Sequence, residues 1–148
     1  MLRSVTSLIC LLALATAAPA SAQEPDLDAG LQRLVADYID LYRRDRLPEW
    51  RALFLPTFTV SSTTDSGGTS VRTLDQFFAS QERGFSRSRD MGERLEHVRI
   101  YRQGRLGTVL ADFVFWQDAD TTRGRLSLHA IAGTGGWRFH SLMFTYHP

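Results

Sequence analysis

Around Gly92 the spacing of apolar residues changes from the period of a helix to the period of a strand, and it does not change back. Upstream, Leu27, Leu31, Leu34, Val35, Tyr38, Leu41 and Tyr42 recur at steps of three and four, which predicts a long amphipathic helix from Asp26 to Asp45. Pro48 suits the first turn of a short second helix, in which Trp50, Leu53 and Phe54 share a face until Pro56 ends the run. Phe58 to Ser62 reads as extended, and Thr73-Leu74-Asp75-Gln76 fits a capping box opening a third helix that buries Leu74, Phe77, Phe78 and Phe85. Downstream, Leu95 to Arg102, Thr108 to Gln117, Arg125 to Ala132 and Trp137 to Tyr146 alternate as strands, and their short connections make them antiparallel neighbours. Helices followed by strands define an α+β fold. The expected form is a cone-shaped, curved antiparallel sheet with three N-terminal helices packed on its concave face.

The first 22 residues have the layout of a secretion signal: Arg3, the apolar run Leu8 to Ala17, and the small-residue pattern Ala20-Ser21-Ala22 before Gln23. The folded domain is therefore expected over 23–148, in a periplasmic or secreted protein. The apolar run is shorter than the roughly 20 residues that span a bilayer, and no later stretch approaches that length, so no membrane association is expected. Cys10 is the only cysteine and lies in the leader, which removes disulfides, thiolate ligands and thiol nucleophiles from the mature chain. All 17 basic residues are arginine, so Schiff-base chemistry on a lysine is excluded too. Loss of Arg3 with the leader leaves equal numbers of acids and bases, a balance that argues against a nucleic-acid partner. His97, His129, His140 and His147 lack any short metal-ligand spacing; no metal or other cofactor is expected.

The strand Thr108 to Gln117 carries apolar residues on both faces: Leu110, Val114 and Trp116 on one, Val109, Ala111, Phe113 and Phe115 on the other. Helices can cover only one of these, so the other, convex face is expected to join a homodimer. Alternation alone does not say which face is which, since a one-residue slip exchanges them. Asp112 shares a face with Leu110 and Val114, where an acid is costly unless paired. If that face is concave, Asp112 looks into the cone, and His129 on the next strand could be tuned by it as a general acid or base. The alternative is a structural ion pair of Asp112 with Arg99 or Arg125.

The order of elements resembles the nuclear transport factor 2-like superfamily, and within it the SnoaL-like and DUF4440-type bacterial branches. The resemblance rests on Leu34-Val35-Ala36-Asp37-Tyr38-Ile39-Asp40-Leu41-Tyr42, on Arg51-Ala52-Leu53-Phe54, on Thr57-Phe58-Thr59-Val60, and on the ending Gly135-Gly136-Trp137-Arg138-Phe139-His140-Ser141. It implies a pocket between helices and sheet for a small, mostly apolar molecule, and either a lyase or isomerase activity moving a proton or a non-catalytic binding module. Against ketosteroid isomerase, an ungapped register from Leu53-Phe54 sets Tyr38 at the oxyanion-binding tyrosine. It sets Ser62 where that enzyme has its carboxylate base. The candidate catalytic residues are accordingly Tyr38, Asp112 and His129, with Trp50, Phe54, Phe58, Ser62, Phe78, Leu110, Val114, Trp116, Ser141 and Met143 expected to line the pocket.

Overall fold

A computed structural model describes residues 26–63 and 67–147. The expected signal segment, 1–22, lies outside the described residues. Helix α1 (Leu27–Asp40) starts at Asp26, whose carboxylate accepts from the backbone N–H groups of Asp28 and Ala29, both at 3.0 Å. It buries Leu31, Leu34, Val35 and Tyr38. The helical period continues to Tyr42 in sequence, but the chain leaves the helix at Leu41, and a single 3-10 turn, Arg44–Arg46, leads into α2 (Leu47–Arg51) with Pro48 in its first turn. Strands β1 (Phe54–Thr63) and β2 (Thr69–Thr73) precede α3 (Leu74–Arg87). The capping box forms as expected: Thr73 Oγ1 accepts from the Gln76 N–H, and Gln76 Oε1 accepts from the Thr73 N–H at 3.0 Å.

Four long strands complete the chain: β3 (Met91–Gln103), β4 (Leu106–Gln117), β5 (Asp120–Gly133) and β6 (Gly136–Tyr146). The sheet order is β2-β1-β6-β5-β4-β3. Every neighbouring pair is antiparallel except β1 with β6, which run parallel, so the sheet is mixed. Short connections dictate direction only within the β3–β6 meander; β1 reaches β6 through a long excursion that permits either direction.

The helices cover the face that carries Val109, Ala111, Phe113 and Phe115, together with Leu126, Leu128, Leu142 and Val60 from neighbouring strands. Asp112, Leu110, Val114 and Trp116 are thereby placed on the opposite, convex face. At the centre of the buried layer Phe139 meets Tyr38 and Phe54 edge-on or tilted at centroid distances of 5.6 Å. Two indole N–H groups donate across elements at 2.9 Å: Trp50 of α2 to the Tyr38 carbonyl of α1, and Trp137 of β6 to the Leu27 carbonyl of α1. Trp116 lies across Gly92, where a Cβ would come within 2.3 Å of its ring, and donates to Asp90 at 3.1 Å. Glycine at 92 is thus what allows the indole to lie flat on β3, outside the cone.

Candidate functional site

Between the helices and the concave face lies a cavity of about 120 Å³, with walls from Trp50, Phe77, Phe113, Phe115, Phe144 and Tyr146 and polar groups from Tyr38, Tyr42, Arg72, Gln81 and Glu93. The volume is on the scale of the roughly 150 Å³ cavity that admits one benzene ring. Glu93 comes in on β3, two residues before Leu95 and so on the same side of the strand, opposite Phe115 of β4. As a residue Glu93 is half-buried, yet its Oε1 is shielded from solvent and has no hydrogen-bond partner. Burial raises this carboxyl from the ordinary 4.5 to about 7, against a smaller, opposing effect of the Tyr38 hydroxyl. Tyr38 is held well above the ordinary tyrosine range, first by its own burial and then by the neighbouring Glu93 charge, so its hydroxyl remains a donor. On the α3 side the Tyr42 hydroxyl donates to Gln81 Oε1, whose amide nitrogen donates to Ser80 Oγ at 3.3 Å.

A carboxyl poised near neutrality beside a fixed hydroxyl donor can take or give a proton where the hydroxyl stabilises a developing oxyanion. Within the described residues no group of three or more His, Cys, Asp or Glu is placed to hold a metal ion.

The convex side carries a wider, more open groove of about 510 Å³, lined among others by His97, Arg99, Leu110, Asp112, Arg125 and Met143. Its acid is neutralised. Asp112 Oδ2 lies 2.9 Å from His97 Nδ1 and its Oδ1 accepts from Arg125 Nε at 3.0 Å, and these two partners, His97 first, hold the carboxyl below its ordinary value. His97 reaches it from a bulge in β3 with φ of 52°, a left-handed conformation uncommon for a residue with a Cβ. The side chain of Asp112 keeps 32% exposure and those of His97 and Arg125 more than 70%, so the cluster is solvated. Despite its smaller volume, the concave cavity is the better candidate for chemistry, because its acid has no ion pair among the described residues and keeps one oxygen unsatisfied.

The expected catalytic trio is therefore divided by the sheet. Tyr38 lines the cavity; Asp112 lies across the sheet in the ion pair with Arg125 that was its alternative reading; His129 is on the convex face, its ring nitrogens 3.4 Å from Thr108 Oγ1 and 3.1 Å from Ser127 Oγ. The physical reason is strand parity, which sends residue 112 and its neighbours on β5 away from the helices. Of the expected lining residues, Trp50 borders the cavity, while Leu110 and Met143 border the convex groove. Phe54, Phe58 and Phe78 are buried in packing that borders neither, with the Arg51 guanidinium 4.8 Å over the Phe78 ring. Ser62 faces Ser70 of β2 with hydroxyls 3.5 Å apart, and Ser141 pairs with His129 on the convex side. Val114 is closed in between Arg94 and Arg123, its partners on β3 and β5, and Trp116 rests on Gly92. Glu93 was missed because the expected strand begins only at Leu95, after the polar turn around Asp90 to Gly92. The signal that finds it is the alternation Met91, Glu93, Leu95, visible once the strand is begun at Met91.

No family profile matches the sequence, and no curated protein matches it. Many solved structures do match in fold. A Novosphingobium aromaticivorans protein provisionally named as a scytalone dehydratase superposes with a TM-score of 0.65 at 16% identity, covering 82% of this chain and 84% of that one. A protein of unknown function from Silicibacter pomeroyi, described as nuclear transport factor 2-like, gives 0.60 at 19% identity over 81% and 95% of the two chains. One from Shewanella baltica, described in the same terms, gives 0.63 at 14% over 82% and 94%. The fold is that of the nuclear transport factor 2-like proteins.

Proposed function

We propose that the protein binds a small, mostly apolar molecule in the concave cavity and moves a proton on it, as a lyase or isomerase, with Glu93 as acid and base and Tyr38 as oxyanion donor. One observation carries this reading: the carboxyl of Glu93 stands in the wall of an aromatic cavity with its Oε1 shielded from solvent and without a hydrogen-bond partner. As carboxylate, Glu93 takes a proton from the carbon beside a carbonyl while Tyr38 donates to the enolate oxygen. The protonated acid then returns the proton, either to another carbon of the same molecule or to a departing hydroxyl, which leaves as water. The dehydratase name of the Novosphingobium neighbour supports the reading only as an analogy of fold. A direct test is hydrogen–deuterium exchange at the α-carbons of cyclohexanone, a single ring, in D2O, followed by proton NMR. Glu93→Gln should slow the catalysed exchange by about 100-fold or more, and Tyr38→Phe by roughly tenfold to 100-fold. Equal rates in wild type and Glu93→Gln would end the proposal.

A second reading is a non-catalytic homodimeric module assembled through the convex groove in the exported compartment. It is favoured by the exposure there of Leu110 (39%) and Met143 (53%), large apolar side chains next to the paired charges of Asp112 and Arg125. Sedimentation velocity on a Leu110→Asp, Met143→Asp double variant should then show a monomer where the wild type is dimeric.

A further inference from the structure

Arg72 extends from the edge strand β2 into the wall of the same cavity that contains Glu93. Its guanidinium carbon lies 5.5 Å from the centroid of Phe77, and Nη1 has one long contact, 3.5 Å from Ser80 Oγ. Its Nε is shielded from solvent and has no hydrogen-bond partner. Among the described residues Arg72 takes part in no ion pair, while Arg46, Arg51, Arg94, Arg102, Arg123 and Arg125 each have an acid. A guanidinium is always charged and carries five donors and no acceptor, so leaving donors unused against an aromatic wall is costly.

Glu93 does not supply the missing acceptor. It stands on β3, at the opposite edge of the six-stranded sheet. Tyr146, which also lines the cavity, has its pKa raised by burial first, then lowered by Arg72 and raised by Glu93, so it feels both groups, whereas Arg72 is absent from the influences on Glu93. The cavity thus has a cationic pole and a carboxyl pole, held apart by aromatic walls, in a space that takes about one ring.

We infer that the ligand is a small aromatic or alicyclic acid, a single ring whose carboxylate pairs with Arg72 while its reacting end is turned to Glu93. A planar carboxylate matches the guanidinium fork and satisfies the donors that the protein leaves open. The inference rests on the cavity reading above and narrows its substrate class.

Benzoate and benzamide have the same ring and nearly the same shape, and differ in charge. In NMR titrations of the purified protein, benzoate should bind on the order of tenfold more tightly than benzamide, as expected for a charge-assisted bond, and should shift the Arg72 Nε–H signal. Arg72→Gln should bring the affinity ratio close to one, and Arg72→Lys, which keeps the charge without the fork, should leave an intermediate ratio. A ratio of one in the wild type, or a ratio unchanged in both folded variants, overturns the acid assignment alone and leaves the cavity reading standing. Failure of both probes to bind overturns the two together.

Discussion

Glu93 and Asp112 are acids on adjacent strands of one sheet, and they look to opposite sides of it. Asp112 faces solvent, has the His97 ring on one oxygen and the Arg125 guanidinium on the other, and is held below its ordinary pKa, His97 contributing more than Arg125. Glu93 faces the enclosed cavity, has an unpaired oxygen, and is raised to about 7 by burial. The type of residue is nearly the same; access to water and to countercharge decides which acid can shuttle a proton at neutral pH and which is fixed as an anion.

The contrast can be broken most severely through packing. Phe139, fully buried behind the cavity, should cost about 3–5 kcal/mol when changed to Ala, as core aromatics do. Met143→Ala on the convex side should cost under about 0.5 kcal/mol, as a surface substitution does. Urea denaturation of both variants checks this, and similar losses would mean that the two faces are not buried as described.

Protonation gives the next largest effect. Because the folded carboxyl of Glu93 titrates near 7 and the unfolded one near 4.5, the native state holds the extra proton between those values. Stability must therefore fall as pH rises through that window, by roughly 3 kcal/mol in all. Glu93→Gln should lack this decline when unfolding is followed at pH 4, 6 and 8; a parallel decline in the variant would assign it to another group.

Asp112 has the reverse sign. Its carboxyl is lowered from 3.8, so its contribution is present at neutral pH and is lost as pH falls through the folded value. Asp112→Asn should leave cyclohexanone exchange unchanged. At neutral pH it should lower the denaturation midpoint by far less than Phe139→Ala, and molar salt should abolish the difference.

Much of the fold was legible because it is written in local signals. The capping box at Thr73-Gln76, the helical spacing of Leu31, Leu34, Val35 and Tyr38, and the alternation of Leu126, Leu128 and Ala130 each specify an element without reference to the rest of the chain. The strand β2 and the parallel pairing of β1 with β6 were not legible, since pairing between distant segments leaves no trace in period. The site was half legible. Tyr38, singled out by an ungapped register against ketosteroid isomerase, lines the cavity, whereas Asp112 and His129 were assigned by a parity that a strand covered with apolar residues on both faces does not reveal. Glu93 was hidden by its charged neighbours, although its company with Met91 and Leu95 places it.

The left-handed kink at His97 acts on β3 as a frameshift acts on a message. Before it, odd-numbered positions such as 93 and 95 point toward the helices; after it, Arg99 pairs with Leu110 and Tyr101 with Thr108, on the other side. A single strand thereby delivers an acid to the interior at one end and an arginine to the exterior at the other. Were the kink straightened with no residue removed, uninterrupted alternation would turn Arg99 and Tyr101 inward.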